Sequence, residues 1–316
     1  MYFDVFNGDA DGLCALHQLR LAEPRDAHLV TGVKRDIALL RQVVAAPGDR
    51  VTVLDIAVEK NAAALAALLD QAVSVQWFDH HNPGELPVHD GFEAHIDTAA
   101  DICTSLLVDR HLNGTYRAWA VAAAFGDNLH DTARRAAEPL DFDEARLASL
   151  RELGECLNYN GYGDSLEDLH FHPADLYRRL HLFADPFAFI AESPDFAKLK
   201  TGYAADMAAA RAIAPHDARD NGAVYVLPDA AWARRVSGVF ANELAQAHPR
   251  RAHAILTRST KGHYVVSVRA PLANRTGADT LCMQFESGGG RKAAAGINVL
   301  PDARVDDFIA AFFDVY

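Results

Sequence analysis

Two aspartates one residue apart, Asp9 and Asp11, sit in the stretch FNGDADGLCA (6–15), after a short apolar run and directly before a helical pattern. Asp55 closes a similar run, VTVLDI (51–56), and Asp79 closes VQWFD (75–79), where it leads into a histidine pair, His80 and His81. A single aspartate at such a place most often caps a turn. Several on one edge of a sheet repel one another unless a cation lies between them. Carboxylate oxygens with imidazole nitrogen suit Mn2+, Mg2+ or a similar divalent ion, whereas a set without thiolates argues against structural zinc. Two such ions about 3.5–4 Å apart polarise a phosphoryl group and yield a hydroxide nucleophile near neutral pH. The chemistry indicated is phosphoester hydrolysis. Asp127, where the alanine-rich AVAAAFGDNLHD (120–131) runs into Gly126-Asp127-Asn128, is a further candidate, with an ordinary helix terminus as the alternative.

A second group of residues suits an anion. In SGGGRKAAAGINV (287–299), Gly288, Gly289 and Gly290 leave backbone N–H groups open to a phosphate, and Arg291 and Lys292 add charge. The alternative is a flexible loop or hairpin. Arg269, at the end of VVSVRA, offers a planar fork able to hold a phosphate through two hydrogen bonds.

These residues need a frame. YFDVF (2–6), AHLVTG (27–32), VTVLDI and VQWFD read as strands, and residues 12–23, 36–46 and 59–72 between them have helical periodicity. This alternation predicts a parallel sheet flanked by helices, with ligands at the carboxyl ends of its strands, where the aspartates fall. Residues 139–220 read as mostly helical, including a long helix over 196–214 and a break at 215–222. Strands follow at 223–227, 252–258 and 263–270, with helices near 237–247, 276–286 and 303–314. The expected organisation is therefore an α/β protein with a parallel-sheet domain (1–190), a helical linker (191–222) and a smaller α/β domain (223–316).

Charge follows the same division. Residues 223–316 carry 11 Lys and Arg against 8 Asp and Glu, a balance of +3, and the remainder carries 19 against 35, a balance of −16. The overall −13 argues against binding long nucleic acid, which depends on phosphate neutralisation by Lys and Arg. No run approaches a membrane span and no signal peptide is evident, so a cytoplasmic location is expected. The four cysteines are widely spaced and read as buried small hydrophobes. His17, His89, His95, His130 and the pair in HFHP (170–173) read as surface or satisfied core histidines.

Taken in order, Asp9-Ala10-Asp11-Gly12, Asp55, Asp79-His80-His81, Asp127, SVRA and GGGxxAAAG resemble the motifs of the DHH–DHHA1 phosphoesterase family, which includes RecJ exonucleases and nanoRNA/pAp phosphatases. The resemblance spans nearly the whole chain. It implies a Mn2+ or Mg2+ enzyme with two ions, one held by Asp9 and Asp55 and one by Asp11, Asp55, His80 and Asp127. Asp79 would then orient the histidines, His81 would face the substrate phosphate, and Gly12 would permit a sharp turn that sets one aspartate on each ion. Arg269 and the Gly288–Gly290 loop would hold the terminal nucleotide, in a cleft between the domains. Two positions depart from the family pattern. Asn7, a possible ligand through its neutral side-chain oxygen, stands where a further acid or histidine is usual, so the first ion is expected to be weaker, differently ligated or exchangeable. Arg291 replaces the histidine of GGGH and fits phosphate grip better than proton transfer.

The implied activity is hydrolysis of short single-stranded oligonucleotides to nucleoside monophosphates. A chain this short leaves no room for the added binding domains of a processive RecJ, and neither a membrane nor long duplex is an expected partner. The alternatives are pAp or a cyclic or linear dinucleotide as substrate, or a catalytically weak nucleotide sensor. A homodimer is compatible with all of these.

Overall fold

The computed structural model describes residues 1–316, which form two compact units, Met1–Thr201 and Gly202–Tyr316. In the first unit, five strands, β1 (Tyr2–Phe6), β2 (His28–Thr31), β3 (Arg50–Leu54), β4 (Ser74–Asp79) and β5 (Phe92–Ile96), form one sheet in the order β2-β1-β3-β4-β5. All its pairings are parallel. Helices α1 (Ala10–Ala22) and α2 (Ala62–Asp70) alternate with the strands, and α3 (Thr104–His111), α4 (Arg117–Gly126), α5 (His130–Ala137), α6 (Glu144–Gly161), α7 (Pro173–Leu180) and α8 (Pro186–Glu192) follow.

Such strands bury both faces and need apolar side chains on each. Phe3, Val5, Val51, Val53, Val75 and Trp77 pack in one cluster with Leu65, Leu68 and Leu69 of α2. Asp4 is the polar exception in β1. Arg20 of α1 answers it with two hydrogen bonds, Nε to Oδ2 at 2.8 Å among them, and also donates to Thr52 Oγ1 at 2.9 Å. The pair is buried and fully engaged, which makes its charge tolerable.

Three expectations for this region are corrected. Residues 36–46 form only one 3-10 turn, Leu39–Gln42, because the Asn61 amide takes over local backbone groups, accepting from Leu40 N at 3.1 Å and donating to Ile37 O at 2.8 Å. The half-exposed strand β5, FEAHI, lies outside the expected strands and is fixed by pairing with β4. The expected long helix over 196–214 begins and ends earlier, as α9 (Pro194–Arg211), and the division between the units falls inside it.

The second unit is a six-stranded sheet of β6 (Asp217–Arg219), β7 (Gly222–Leu227), β8 (Ala252–Arg258), β9 (Tyr264–Arg269), β10 (Gly288–Arg291) and β11 (Ala294–Leu300), ordered β10-β11-β9-β8-β7-β6. Only β7 and β8 pair in parallel, with α10 (Ala231–Ala247) as their crossover. Leu256, Val266, Val268 and Ile297 form its core with Leu281 of the five-residue α11 (Ala278–Cys282) and with Phe308, Phe312 and Phe313 of α12 (Val305–Val315). All four cysteines are free and buried. No helix is long and apolar enough to cross a membrane.

Candidate active site

The chain leaves β1 at Phe6 and enters α1 within four residues, so Asp9 becomes the helix N-cap. Its Oδ1 accepts from Asp11 N at 3.0 Å and Gly12 N at 3.1 Å, the arrangement that satisfies the free N–H groups of a first turn. The role expected of Gly12 is corrected here. It lies in the helix, and a Cβ on it would sit 2.2 Å from the Asn7 carbonyl oxygen, so close approach of backbone requires the glycine rather than a sharp turn.

Asp11 points to the start of α3, where Thr104 N and Ser105 N each donate to its carboxylate at 2.7 Å. Burial nevertheless raises its pKa, and the neighbouring Asp127 raises it further. Asp55 follows β3 in a left-handed conformation, φ +60°, which costs a non-glycine residue about 1–2 kcal/mol. Burial pushes its carboxyl well above the ordinary range, and Asp9, Asp11, Asp127 and Asp79 all push the same way. These carboxylates are close enough to be mutually unfavourable, which is the electrostatic condition that a divalent cation relieves.

Asp79, fully buried at the end of β4, bonds His81 Nδ1 through Oδ1 at 2.7 Å, and its buried Oδ2 has no partner. That hydrogen bond raises the His81 pKa. His80 Nδ1 lies 2.9 Å from the Ile102 carbonyl. A carbonyl only accepts, so Nδ1 donates to it and Nε2 is the ring nitrogen that faces the carboxylates, 3.5 Å from Asp55 Oδ1 and 3.9 Å from Asp127 Oδ2. Asp127 caps the C-terminus of α4. Its placement depends on Gly126, where a Cβ would lie 2.6 Å from Ala10 Cβ and 2.7 Å from Gly154 O.

Two groups can hold a metal ion, Asp11 with His80 and Asp127, and Asp55 with His80 and His81; within each, the ligand atoms lie within 4.8 Å of one another. The oxygen and imidazole donors, with His80 Nε2 facing the carboxylates, fit a hard or borderline divalent ion. Asp9 joins neither group. Its Oδ2 instead accepts from Lys34 Nζ. Burial works against the Asp9 charge, but the Lys34 ammonium outweighs it and lowers the carboxyl pKa. Lys34 also reaches Asn158 Oδ1 at 3.2 Å and Asp127 Oδ1 at 3.5 Å. Sequence reasoning missed both Lys34 and Asn158. The available signal was the position of Lys34 just beyond β2, at the same carboxyl edge as the aspartates. Asn7 is buried, donates through Nδ2 to the Lys34 carbonyl at 3.3 Å, and leaves Oδ1 without a partner.

Three of the other histidines have structural partners. His17 lies between His181 Nδ1 and Phe183 O, 3.0 Å from each, His170 is 2.7 Å from Tyr159 Oη, and His172 caps α7.

In the second unit the glycine stretch forms one arm of a hairpin, the alternative that its sequence left open, rather than a loop. Gly288–Arg291 form β10, the sheet edge, hydrogen-bonded to β11. Glycine and alanine carry little β signal, and the pairing partner supplies what the local sequence lacks. Register places Arg291 beside Ala294, Ala294 beside Arg269, and Arg269 beside His253. Residues directly opposite share a face, so Arg269 and Arg291 flank one alanine, their strands about 10 Å apart. Arg269 is held by Asn242 Oδ1 at 2.6 Å and Ser267 Oγ at 2.9 Å.

No family model and no curated protein matches this chain. Among solved structures, it is similar to the exonuclease RecJ bound to manganese, with 18% identity and a TM-score of 0.63 over 98% of this chain and 88% of that one. RecJ from Thermus thermophilus in complex with Mn2+ matches with 20% identity and a TM-score of 0.62 over 98% of this chain, which spans only 51% of that RecJ. The pGpG-specific phosphodiesterase PggH from Vibrio cholerae matches with 15% identity and a TM-score of 0.55, covering 99% of this chain and 98% of its own. The chain thus shares the fold of RecJ and PggH, in agreement with the resemblance that the motif order suggests.

Proposed function

We propose that this chain is a divalent-metal-dependent phosphodiesterase that hydrolyses short single-stranded oligonucleotides to nucleoside monophosphates. The observation that carries the reading is the convergence of Asp11, Asp55, His80, His81 and Asp127 at the carboxyl edge of the parallel sheet, with His80 Nε2 turned toward carboxylates. Asp11, Asp55, His80 and Asp127 would hold Mn2+ or Mg2+, which when bound supplies Lewis acidity and an activated water. Asp79 positions His81 and favours its protonated form, so that the half-exposed imidazole offers Nε2–H to a phosphate or leaving-group oxygen. The guanidinium groups of Arg269 and Arg291 are proposed to hold a nucleotide phosphate on the face they share. The acidic balance of the chain supports short substrates over a long nucleic-acid track.

A second reading, a linear dinucleotide as the dedicated substrate, is favoured by the end-to-end match with PggH. Incubation of the purified protein and Mn2+ with di- to penta-ribonucleotides, pAp, and linear and cyclic dinucleotides separates these readings by chromatography of the products. Cleavage across the di- to pentamer series supports the first; cleavage of the dinucleotide alone supports the second. Binding without turnover of any substrate would replace both with a nucleotide sensor.

A further inference from the structure

The distribution of contacts around Asp9 does not match a site for two divalent ions. Both Asp9 and Asp11 have each carboxylate oxygen engaged by the protein, but Asp9 alone of the two meets a cation: its Oδ1 accepts from the amides of Asp11 and Gly12, and its Oδ2 from the Lys34 ammonium. Lys34 Nζ has three hydrogens and meets three side-chain oxygens, those of Asp9, Asn158 and Asp127. Lys34 N donates to Gly161 O at 2.8 Å, and Lys34 O accepts from Asn7 Nδ2 at 3.3 Å. The loop after β2 is therefore fastened on both sides of the residue.

The contact from Asn7 links two features that look independent in the sequence. An aspartate at position 7 could ligate a metal but could not donate to a carbonyl; the asparagine amide can. The residue that would complete a first metal site thus helps to position the lysine lying across that site. The remaining groups stay together, since Asp11, His80 and Asp127 share one ligand cluster and Asp55, His80 and His81 share the other.

We propose that the Lys34 ammonium takes the place of one divalent cation, so that this protein carries a single metal ion, held by Asp11, Asp55, His80 and Asp127, beside a built-in lysine cation on Asp9. The inference rests on the reading of the aspartate–histidine cluster as a metal centre. Lys34 supplies fixed positive charge for the neighbouring carboxylates and for an incoming phosphate oxygen, but it cannot activate water as a metal ion does. Asn7 is a positioning residue, acting through the Lys34 backbone.

The test is metal stoichiometry, which does not depend on turnover. The full chain is stripped with chelator, equilibrated with Mn2+ alone and desalted. Bound manganese per chain is then measured by elemental analysis, and low-temperature electron paramagnetic resonance distinguishes isolated from exchange-coupled ions. One isolated ion is expected in the wild type and in Lys34→Arg, which keeps the charge. Two coupled ions are expected in Asn7→Asp/Lys34→Met, where the cation is gone and an acid is restored, with circular dichroism confirming the fold. Two ions in the wild type would overturn the proposal while leaving the metal-enzyme reading intact, and so would a folded double variant that still takes one. If the double variant does not fold, Lys34→Met alone serves: a gain in bound manganese over the wild type supports the substitution of cation by lysine, and no gain overturns it. A wild type that binds no Mn2+ removes the metal centre and the inference together.

Discussion

Asp55→Asn should stabilise the metal-free protein and abolish its stabilisation by metal. Asp55 is buried and surrounded by four other carboxylates that, with burial, push its pKa well up. A carboxyl with a raised folded-state pKa contributes stability that is complete below its ordinary titration range near 3.8 and lost as pH rises through the folded value. At neutral pH the metal-free wild type therefore bears a penalty of about 1.4 kcal/mol for every tenfold by which folding weakens the acid. Asparagine removes the charge, tolerates the left-handed backbone, and keeps an oxygen to accept from Thr104 Oγ1 at 3.3 Å. The net gain should be about 1–2 kcal/mol, within the usual range for stabilising single substitutions. For a domain the size of Met1–Thr201, this corresponds to a rise in Tm of roughly 2–4 °C per kcal/mol. Mn2+ at a hundred times its Kd should stabilise the wild type by about 2.7 kcal/mol and the variant far less. Thermal denaturation followed by circular dichroism, with chelator and with Mn2+, measures both effects. A variant less stable than the wild type in chelator, or one that gains as much from Mn2+, would refute the electrostatic account of the site.

Three other outcomes follow from particular contacts. Burial pushes the His17 pKa down to about 3, so its contribution is complete above about pH 6.5 and lost as the pH falls toward 3, at up to about 1.4 kcal/mol for each tenfold rise in proton concentration; urea denaturation between pH 7 and 5 should show this slope flattened in His17→Gln. Gly126→Ala places a methyl group 2.6 Å from Ala10 Cβ, which should cost about 1–3 kcal/mol and weaken Mn2+ binding by shifting Asp127, readable by denaturation and calorimetry. Asp4→Ala strands the buried Arg20 guanidinium and should destabilise the protein by about 3–5 kcal/mol in chemical denaturation.

The frame of the first unit was legible because its signals are local. The strands β1, β3 and β4 are largely apolar runs, and the motif aspartates fall at or just beyond their carboxyl ends, where a parallel sheet gathers ligands. Legibility failed where a residue's role is set from a distance. Residues 36–46 have a helical pattern, yet Asn61 redirects their backbone. Gly288–Arg291 look like a loop until β11 pairs with them. Lys34 carries no motif of its own; its meaning comes from Asn7 and Asp9 on one stretch of chain and Gly161 on another, which meet it only in the fold. Asn7 was visible as a departure, but what it does there depends on that lysine.

The central claim is that the aspartate–histidine cluster is a divalent-metal centre for phosphodiester hydrolysis. Its most direct test is release of nucleoside monophosphate from a short ribonucleotide by the purified chain. Product is expected with Mn2+, none with chelator, and none with Asp55→Asn under conditions where that variant is folded. Absence of cleavage across the whole substrate panel with Mn2+ bound, or full activity in Asp55→Asn, would contradict it.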